Sequence, residues 1–138
     1  INAEAQDWCV HHLVDKIKKN APKIIEYRED QIDNAEIVVV SFGITSRVAI
    51  KAVQDARKAG IKVGTLRLIT VWPFPEDRIK ELANKVKAFV VPEINLGQIR
   101  REVERCAWGR TPVIGVPHCG GWVHDPDDIL KAIKEAAR

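Results

Sequence analysis

A three-layer α/β domain, with helices on both faces of a mostly parallel sheet, is the fold this sequence predicts. Two patterns carry that expectation. From residue 36 onward, short β-branched runs alternate with stretches whose apolar residues recur every three or four positions. Strand–helix–strand repeats of this kind call for parallel strands joined by right-handed crossovers. The length, 138 residues, suits one hydrophobic core.

Glu36 to Phe42 (EIVVVSF) reads as a strand buried on both faces. Gly43 breaks it, and Thr45 or Ser46 can cap the helix that follows. In that helix Val48, Ala49, Ala52, Val53 and Ala56 share one stripe, and Gly60 stops it. Lys62 to Ile69 is the second strand of the repeat, followed by the turn Thr70 to Pro75. The next helix carries Ile79, Leu82, Ala83 and Val86, and Ala88 to Val91 is a third strand. Asn95 can cap a helix with Ile99, Val103 and Cys106 inward. Pro112 to Val116 is a fourth strand, and Asp125-Pro126 opens a last helix with Ile129, Leu130 and Ile133 inside.

Residues 1–35 differ from this repeat but belong to the same single domain, 1–138. Ala3 to Asn20 reads as a helix with Val10, Leu13, Val14 and Ile17 on one face, Pro22 ends it, and Lys23 to Arg28 is a candidate edge strand.

Composition narrows the function. No apolar run approaches the roughly 20 residues that span a bilayer, and Ile1 to Asp7 lacks the pattern of a signal peptide. A cytoplasmic location is the expectation. The sequence contains no methionine and starts at Ile1, so it is expected to be a piece of a longer protein. Net charge is only +3 and the basic residues are spread along the chain, which argues against nucleic acid as a partner. Cys9, Cys106 and Cys119 lie far apart without a Cys-x-x-Cys, so this chain alone builds neither an iron–sulfur cluster nor a zinc ribbon. His11, His12, His118 and His124 match no usual zinc spacing, so no metal site is expected.

In open α/β sheets ligands gather at the carboxyl edge of the strands, and four loops belong to that edge here. The first, with Gly43, Thr45 and Ser46, either receives a phosphate at the helix N-terminus or is simply a tight turn plus a cap. Trp72, Pro73, Phe74 and Pro75 make a stiff apolar turn whose rings either fold back over the core or meet a partner. Glu93, in the third loop, can act as an acid or base if desolvated; otherwise it pairs with an arginine or takes backbone N–H bonds. His118, Cys119 and His124 occupy the fourth. No nucleophile–base pair is recognisable, so no catalytic residue is assigned.

Taken together, several motifs resemble one family. Phe42-Gly43-Ile44-Thr45-Ser46-Arg47, Gly60 to Gly64, Leu66 to Pro75, and Val91-Pro92-Glu93-Ile94-Asn95-Leu96-Gly97-Gln98 followed by Arg101-Glu102-Val103-Glu104 are similar to the C-terminal domain of the α subunit of 2-oxoacid:ferredoxin oxidoreductases, especially the 2-oxoglutarate type. The most specific parts are the Trp-Pro-Phe-Pro turn and the Asn95-Leu96-Gly97-Gln98 cap. The resemblance implies a fold like the C-terminal domain of transketolase: a five-stranded sheet, mostly parallel, with one antiparallel strand. It implies that the complete enzyme decarboxylates a 2-oxoacid on thiamine diphosphate and Mg²⁺, passes electrons through iron–sulfur clusters to ferredoxin, and hands the acyl group to coenzyme A. It also implies that those cofactors are held by other domains and subunits, with Trp72 to Pro75, Glu93, Asn95, Gly97 and Gln98 facing them. The sequence departs from the family at Pro92; a proline cannot donate to a ladder, so this strand end is expected to be short or at an edge. The rival expectation is a free-standing domain that binds an anionic ligand, a nucleotide or a coenzyme A phosphate, at the Gly43 loop.

Overall fold

The computed structural model describes residues 2–138. In chain order its elements are α1 (Ala3–Lys18), α2 (Ala21–Ile24), β1 (Tyr27–Asp30), β2 (Ile37–Phe42), α3 (Thr45–Lys58), β3 (Val63–Leu68), α4 (Glu76–Ala83), β4 (Ala88–Glu93), α5 (Gln98–Ala107), β5 (Val113–Pro117) and α6 (Pro126–Ala136). The five strands form one sheet in the order β1-β3-β2-β4-β5. β2, β3, β4 and β5 pair in parallel, and β1 runs antiparallel against β3, with Tyr27 opposite Leu68 and Arg28 opposite Arg67.

Alternation along the strands divides the core in two. Val38, Val40, Leu66, Leu68, Phe89 and Val91 project to one face, where Phe74, Ile79 and Leu82 before and within α4, and Val103 and Cys106 of α5, close over them. Ile37, Val39, Val63 and Val90 project to the other, under Ala49, Ala52, Val53 and Ala56 of α3 and Ile129 and Ile133 of α6. The alanines on α3 let it lie close to both the sheet and α6. Burial raises the Cys106 thiol above its ordinary pKa, so this cysteine behaves as a core side chain.

Four local expectations are corrected. Pro22 does not end a helix; its fixed φ sits in the first turn of α2, where Lys23 and Ile24 are helical. The edge strand therefore starts later than Lys23–Arg28, at Tyr27. The α3 helix begins with Thr45 already helical after Ile44, and no side chain caps it; Thr45 and Ser46 are buried, and the Ser41 hydroxyl donates to the Ser46 hydroxyl at 3.2 Å. Pro92 neither shortens β4 nor places it at an edge: β4 runs through Glu93 between β2 and β5. The Phe89 N–H donates to the Pro112 carbonyl and the Glu93 carbonyl accepts from His118 N–H, so odd-numbered residues of β4 face β5 and Pro92 faces β2. Pairing with β2 has by then ended, at Val39 opposite Val90. No ladder bond is lost at the proline.

Gly64 marks a close approach of backbones. A Cβ there would stand 2.7 Å from the Gln31 carbonyl oxygen, in the turn that follows β1. Arg57 fastens the same turn, donating to the carbonyls of Val63 and Gln31 and to the Asn34 side chain. Because the obstacle is backbone, Gly64→Ala is expected to destabilise the domain by about 1–3 kcal/mol, read from urea unfolding.

The outer surface of α4 and α5 is laced by ion pairs. Arg78 grips Glu29 of β1 through two nitrogens (2.6 and 2.9 Å) and also reaches Glu81, while Arg105 joins Glu76 and Glu102. Lys85 and Arg78 hold the Glu81 carboxyl down to about 2 from its ordinary 4.5, and Arg105 lowers that of Glu76. Folded-state pKa values below the unfolded ones mean that the unfolded chain binds more protons in the interval. The stabilisation is complete above about pH 5 and is lost as pH falls toward 2. The thermal midpoint is expected to fall over that window, less steeply in Glu81→Gln and less steeply at high salt.

Candidate functional site at the carboxyl edge of the sheet

The loops after β2, β3, β4 and β5 all leave from one edge, as the alternation of elements requires. From β2 the chain crosses to β3 on one side, and from β3 it crosses back to β4 on the other, so β2 and β4 flank the topological switch point. Their pairing stops at Val39 and Val90, leaving the last residues of both strands without a ladder to each other. Gly43 and Glu93 stand on the two sides of this opening.

On the β2 side, Gly43 adopts φ +57 and leads directly into α3. The Thr45 and Ser46 hydroxyls are buried rather than presented outward, so what the loop offers a ligand is the uncapped first turn of α3. Arg67 lies opposite Ser41 in the sheet register, on the face that α3 covers. Its buried Nε has no hydrogen-bond acceptor within the described residues.

On the β4 side, the polar groups are already engaged. Glu93 is 1% exposed, and its carboxylate accepts from the backbone N–H of Ile99 at 2.8 Å and of Arg100 at 3.0 Å. Asn95 Oδ1 accepts from Gly97 N–H (2.8 Å) and Gln98 N–H (2.9 Å). Between them the two side chains satisfy four successive N–H groups at the start of α5, and Glu93 sets a negative charge against the positive end of the helix. Gly97, at φ +98, makes the turn that allows this. Of the readings open for Glu93, the geometry is that of backbone N–H acceptance. Asn95 lies two and three residues ahead of the N–H groups that donate to it, with Gly97 in the cap position itself.

The turn after β3 divides its apolar residues. Phe74 and Pro75 are buried against the α4–α5 side of the core, whereas Trp72 stands 70% exposed beyond a cis peptide to Pro73. This turn does not converge with Gly43 and Glu93; it forms one wall of a groove whose other wall is α1 and α2. The fourth loop brings His118 and His124 together with ring centroids 5.2 Å apart. His124 Nε2 is 2.8 Å from the Val116 carbonyl, while His124 Nδ1 and His118 Nε2 are buried without partners within the described residues. Cys119 beside them is exposed. Among the described residues no three His, Cys, Asp or Glu side chains converge as metal ligands. Sequence reading offers backbone N–H acceptance for Glu93 and a cap for Asn95, but not the particular N–H groups each takes nor the separate groove at Trp72, because both depend on contacts across elements that periodicity does not encode.

Comparison with known proteins agrees with this architecture. The model of the pyruvate:ferredoxin oxidoreductase core domain II family matches residues 35–129. The 2-oxoglutarate synthase subunit KorA of Methanocaldococcus jannaschii is 44% identical over 133 residues, covering 96% of this chain and 36% of that protein. The ketoisovalerate oxidoreductase subunit VorB of Methanothermobacter thermautotrophicus is 43% identical over 126 residues, covering 91% of this chain and 36% of that protein. The chain thus spans about a third of the length of these relatives. Among solved structures, the 2-oxoglutarate:ferredoxin oxidoreductase from Magnetococcus marinus with 2-oxoglutarate, coenzyme A and succinyl-CoA bound superposes with a TM-score of 0.77 at 20% identity, over 100% of this chain and 24% of that one. A split-gene transketolase, an inactive β4 tetramer, reaches 0.65 at 19% identity, over 80% of this chain and 41% of that one. Both likenesses concern the fold, a mixed five-stranded sheet of the kind found at the C-terminus of transketolase. With its family model matched over residues 35–129, the chain belongs to the pyruvate:ferredoxin oxidoreductase core domain II family.

Proposed function

We propose that this chain is the non-catalytic assembly and framing domain of a thiamine-diphosphate-dependent 2-oxoacid:ferredoxin oxidoreductase. The complete enzyme would oxidatively decarboxylate a 2-oxoacid, with 2-oxoglutarate preferred, to the acyl-CoA and reduce ferredoxin in the cytoplasm. The observation that carries this is the near-complete coverage of the chain by 2-oxoglutarate synthase subunits. The carboxyl edge supports the non-catalytic part. Glu93, the best acid or base there, is committed to two backbone N–H groups, and Asn95 to two more.

Cys9, Cys106 and Cys119 sit on α1, in α5 and in the last loop, and among the described residues no three His, Cys, Asp or Glu side chains converge as metal ligands. On this reading thiamine diphosphate, Mg²⁺ and the iron–sulfur clusters are held by other domains and subunits, and no step of the reaction is assigned to this chain. Its role is to dock: Trp72 projects from a turn anchored by Phe74, and the Glu93–Gln98 loop is held rigid by its own hydrogen bonds. The isolated chain, given thiamine diphosphate, Mg²⁺, 2-oxoglutarate and a dye acceptor, is expected to show no turnover. Turnover would overturn the reading.

A second reading is supported by the uncapped first turn of α3 and the unpartnered Arg67 Nε: a site for an anionic group such as a nucleotide or coenzyme A phosphate beside Gly43. Titration calorimetry with coenzyme A, thiamine diphosphate and ATP separates the two. The assembly reading expects no heat from any of them.

A further inference from the structure

The loop between β5 and α6 holds two histidines, each with a buried ring nitrogen that has no hydrogen-bond partner among the described residues: His118 Nε2 and His124 Nδ1. His124 is 6% exposed, and its ring lies 5.2 Å from that of His118, centroid to centroid, with the planes tilted by 52°. Its other nitrogen, Nε2, stands 2.8 Å from the Val116 carbonyl oxygen. Two lone pairs do not meet at that distance, so Nε2 carries the proton and donates it. In the neutral ring Nδ1 is then a bare lone pair, buried without a donor, which is a costly arrangement unless something else takes it up.

A shared cation satisfies both nitrogens. Two imidazoles that ligate one tetrahedral Zn²⁺ through Zn–N bonds of about 2.0–2.1 Å place their ring centroids roughly 5 Å apart. The separation of 5.2 Å matches that spacing. The bond from His124 Nε2 to a backbone carbonyl is the outer contact that fixes the tautomer and orientation of a metal-binding histidine. His118 is tethered as well, its backbone N–H donating to the Glu93 carbonyl at 3.0 Å. A third donor follows directly in the chain: Cys119 is exposed, and Gly120 at φ +102 and Gly121 come after it. The local charge also suits a cation. No lysine or arginine occurs from Thr111 to Leu130, whereas Asp125, Asp127 and Asp128 do.

We infer that His118 Nε2 and His124 Nδ1 are ligands of a zinc site, with the Cys119 thiolate turning inward as the third ligand and water as the fourth. The thiol joins by rotation of an exposed side chain, so among the described residues no three ligating groups converge before the ion is bound. Imidazole nitrogen and thiolate sulfur together select Zn²⁺ over the hard cations Mg²⁺ and Ca²⁺, which take oxygen. The ion pins the loop to the end of β5, and with it Trp122, which stands 79% exposed between the two histidines.

The test uses the complete protein that carries this chain, given one equivalent of Zn²⁺ per copy, and X-ray absorption at the zinc edge, where iron is silent. Two imidazole nitrogens at about 2.0–2.1 Å and one sulfur at about 2.3 Å are expected. Cys119→Ser, a change at an exposed position, is expected to lose the sulfur and keep both imidazoles. His118→Asn is expected to weaken zinc binding at least about tenfold in competition with a chelator. No stoichiometric uptake by the parent protein, or a zinc shell of oxygens alone, would overturn the assignment. So would a spectrum unchanged in Cys119→Ser, or an affinity unchanged in His118→Asn. The parent and the Cys119→Ser variant decide the matter even if a histidine variant fails to fold. Neither outcome depends on the assembly reading, since zinc uptake is measured without turnover or subunit association.

Discussion

Glu93→Ala is expected to destabilise the domain by about 3–5 kcal/mol, more than any other polar substitution at the carboxyl edge. The side chain is buried, and its two oxygens each accept a backbone N–H at the start of α5. Removing them strands one buried and one half-buried donor, each costing roughly 1–3 kcal/mol, and removes a negative charge from the positive end of the helix. Glu93→Gln keeps one good acceptor but turns an amide NH₂ toward the second donor, so its expected cost is smaller, about 1–3 kcal/mol. Urea unfolding of the two variants checks the order. If both unfold like the parent, Glu93 does not hold α5, and an acid–base role regains its claim on the residue.

The tryptophan turn supplies the second large effect, through a contrast. Phe74→Ala is expected to cost about 3–5 kcal/mol, since the ring is 6% exposed and packs with Leu68, Ile79 and Val103 in one of the two core clusters. Trp72→Ala, two residues away, is expected to change the stability of the isolated chain by no more than about 0.5 kcal/mol. In the complete enzyme the same substitution should weaken subunit association, because the ring is presented outward on a stiff turn. Unfolding curves of the isolated variants and sedimentation of the assembled ones measure the two halves of this contrast.

Much of the fold could be read from the residues because the strands are buried on both faces. Ile37 to Val40 and Ala88 to Val91 are unbroken apolar runs, Val63 to Leu68 buries Val63, Leu66 and Leu68 among smaller and polar residues, and the stripes on α3, α5 and α6 keep their 3.6-residue period. The Asp125-Pro126 start of α6 also behaves as its chemistry dictates, with the Asp125 carboxylate accepting from Asp127 N–H at 3.0 Å. The antiparallel placement of β1 came from the family resemblance, because four partly exposed residues carry no periodicity that orders them.

Other features were beyond a local reading. Thr45 and Ser46 look like caps, but Ser41 on the neighbouring strand draws the Ser46 hydroxyl inward. Asn95 shares the capping of α5 with Glu93, which lies six and seven residues before the N–H groups that donate to it, a separation that no capping template contains. Pro92 reads as a strand-ender until the extent of β2–β4 pairing is known. The candidate site is legible as a set of loops, but their division into a crevice flanked by Gly43 and Glu93 and a separate groove at Trp72 emerges only from the packing.

On the proposed function this domain frames a larger oxidoreductase without contributing its chemistry. The most direct test is to compare the complete enzyme with a version lacking residues 1–138, measuring subunit association by light scattering and 2-oxoglutarate- and coenzyme A-dependent reduction of ferredoxin. The complete enzyme is expected to assemble and be active, and the truncated one to lose its association and with it the activity. Full association and activity without these residues, or no oxidation of any 2-oxoacid by the complete enzyme, would contradict it.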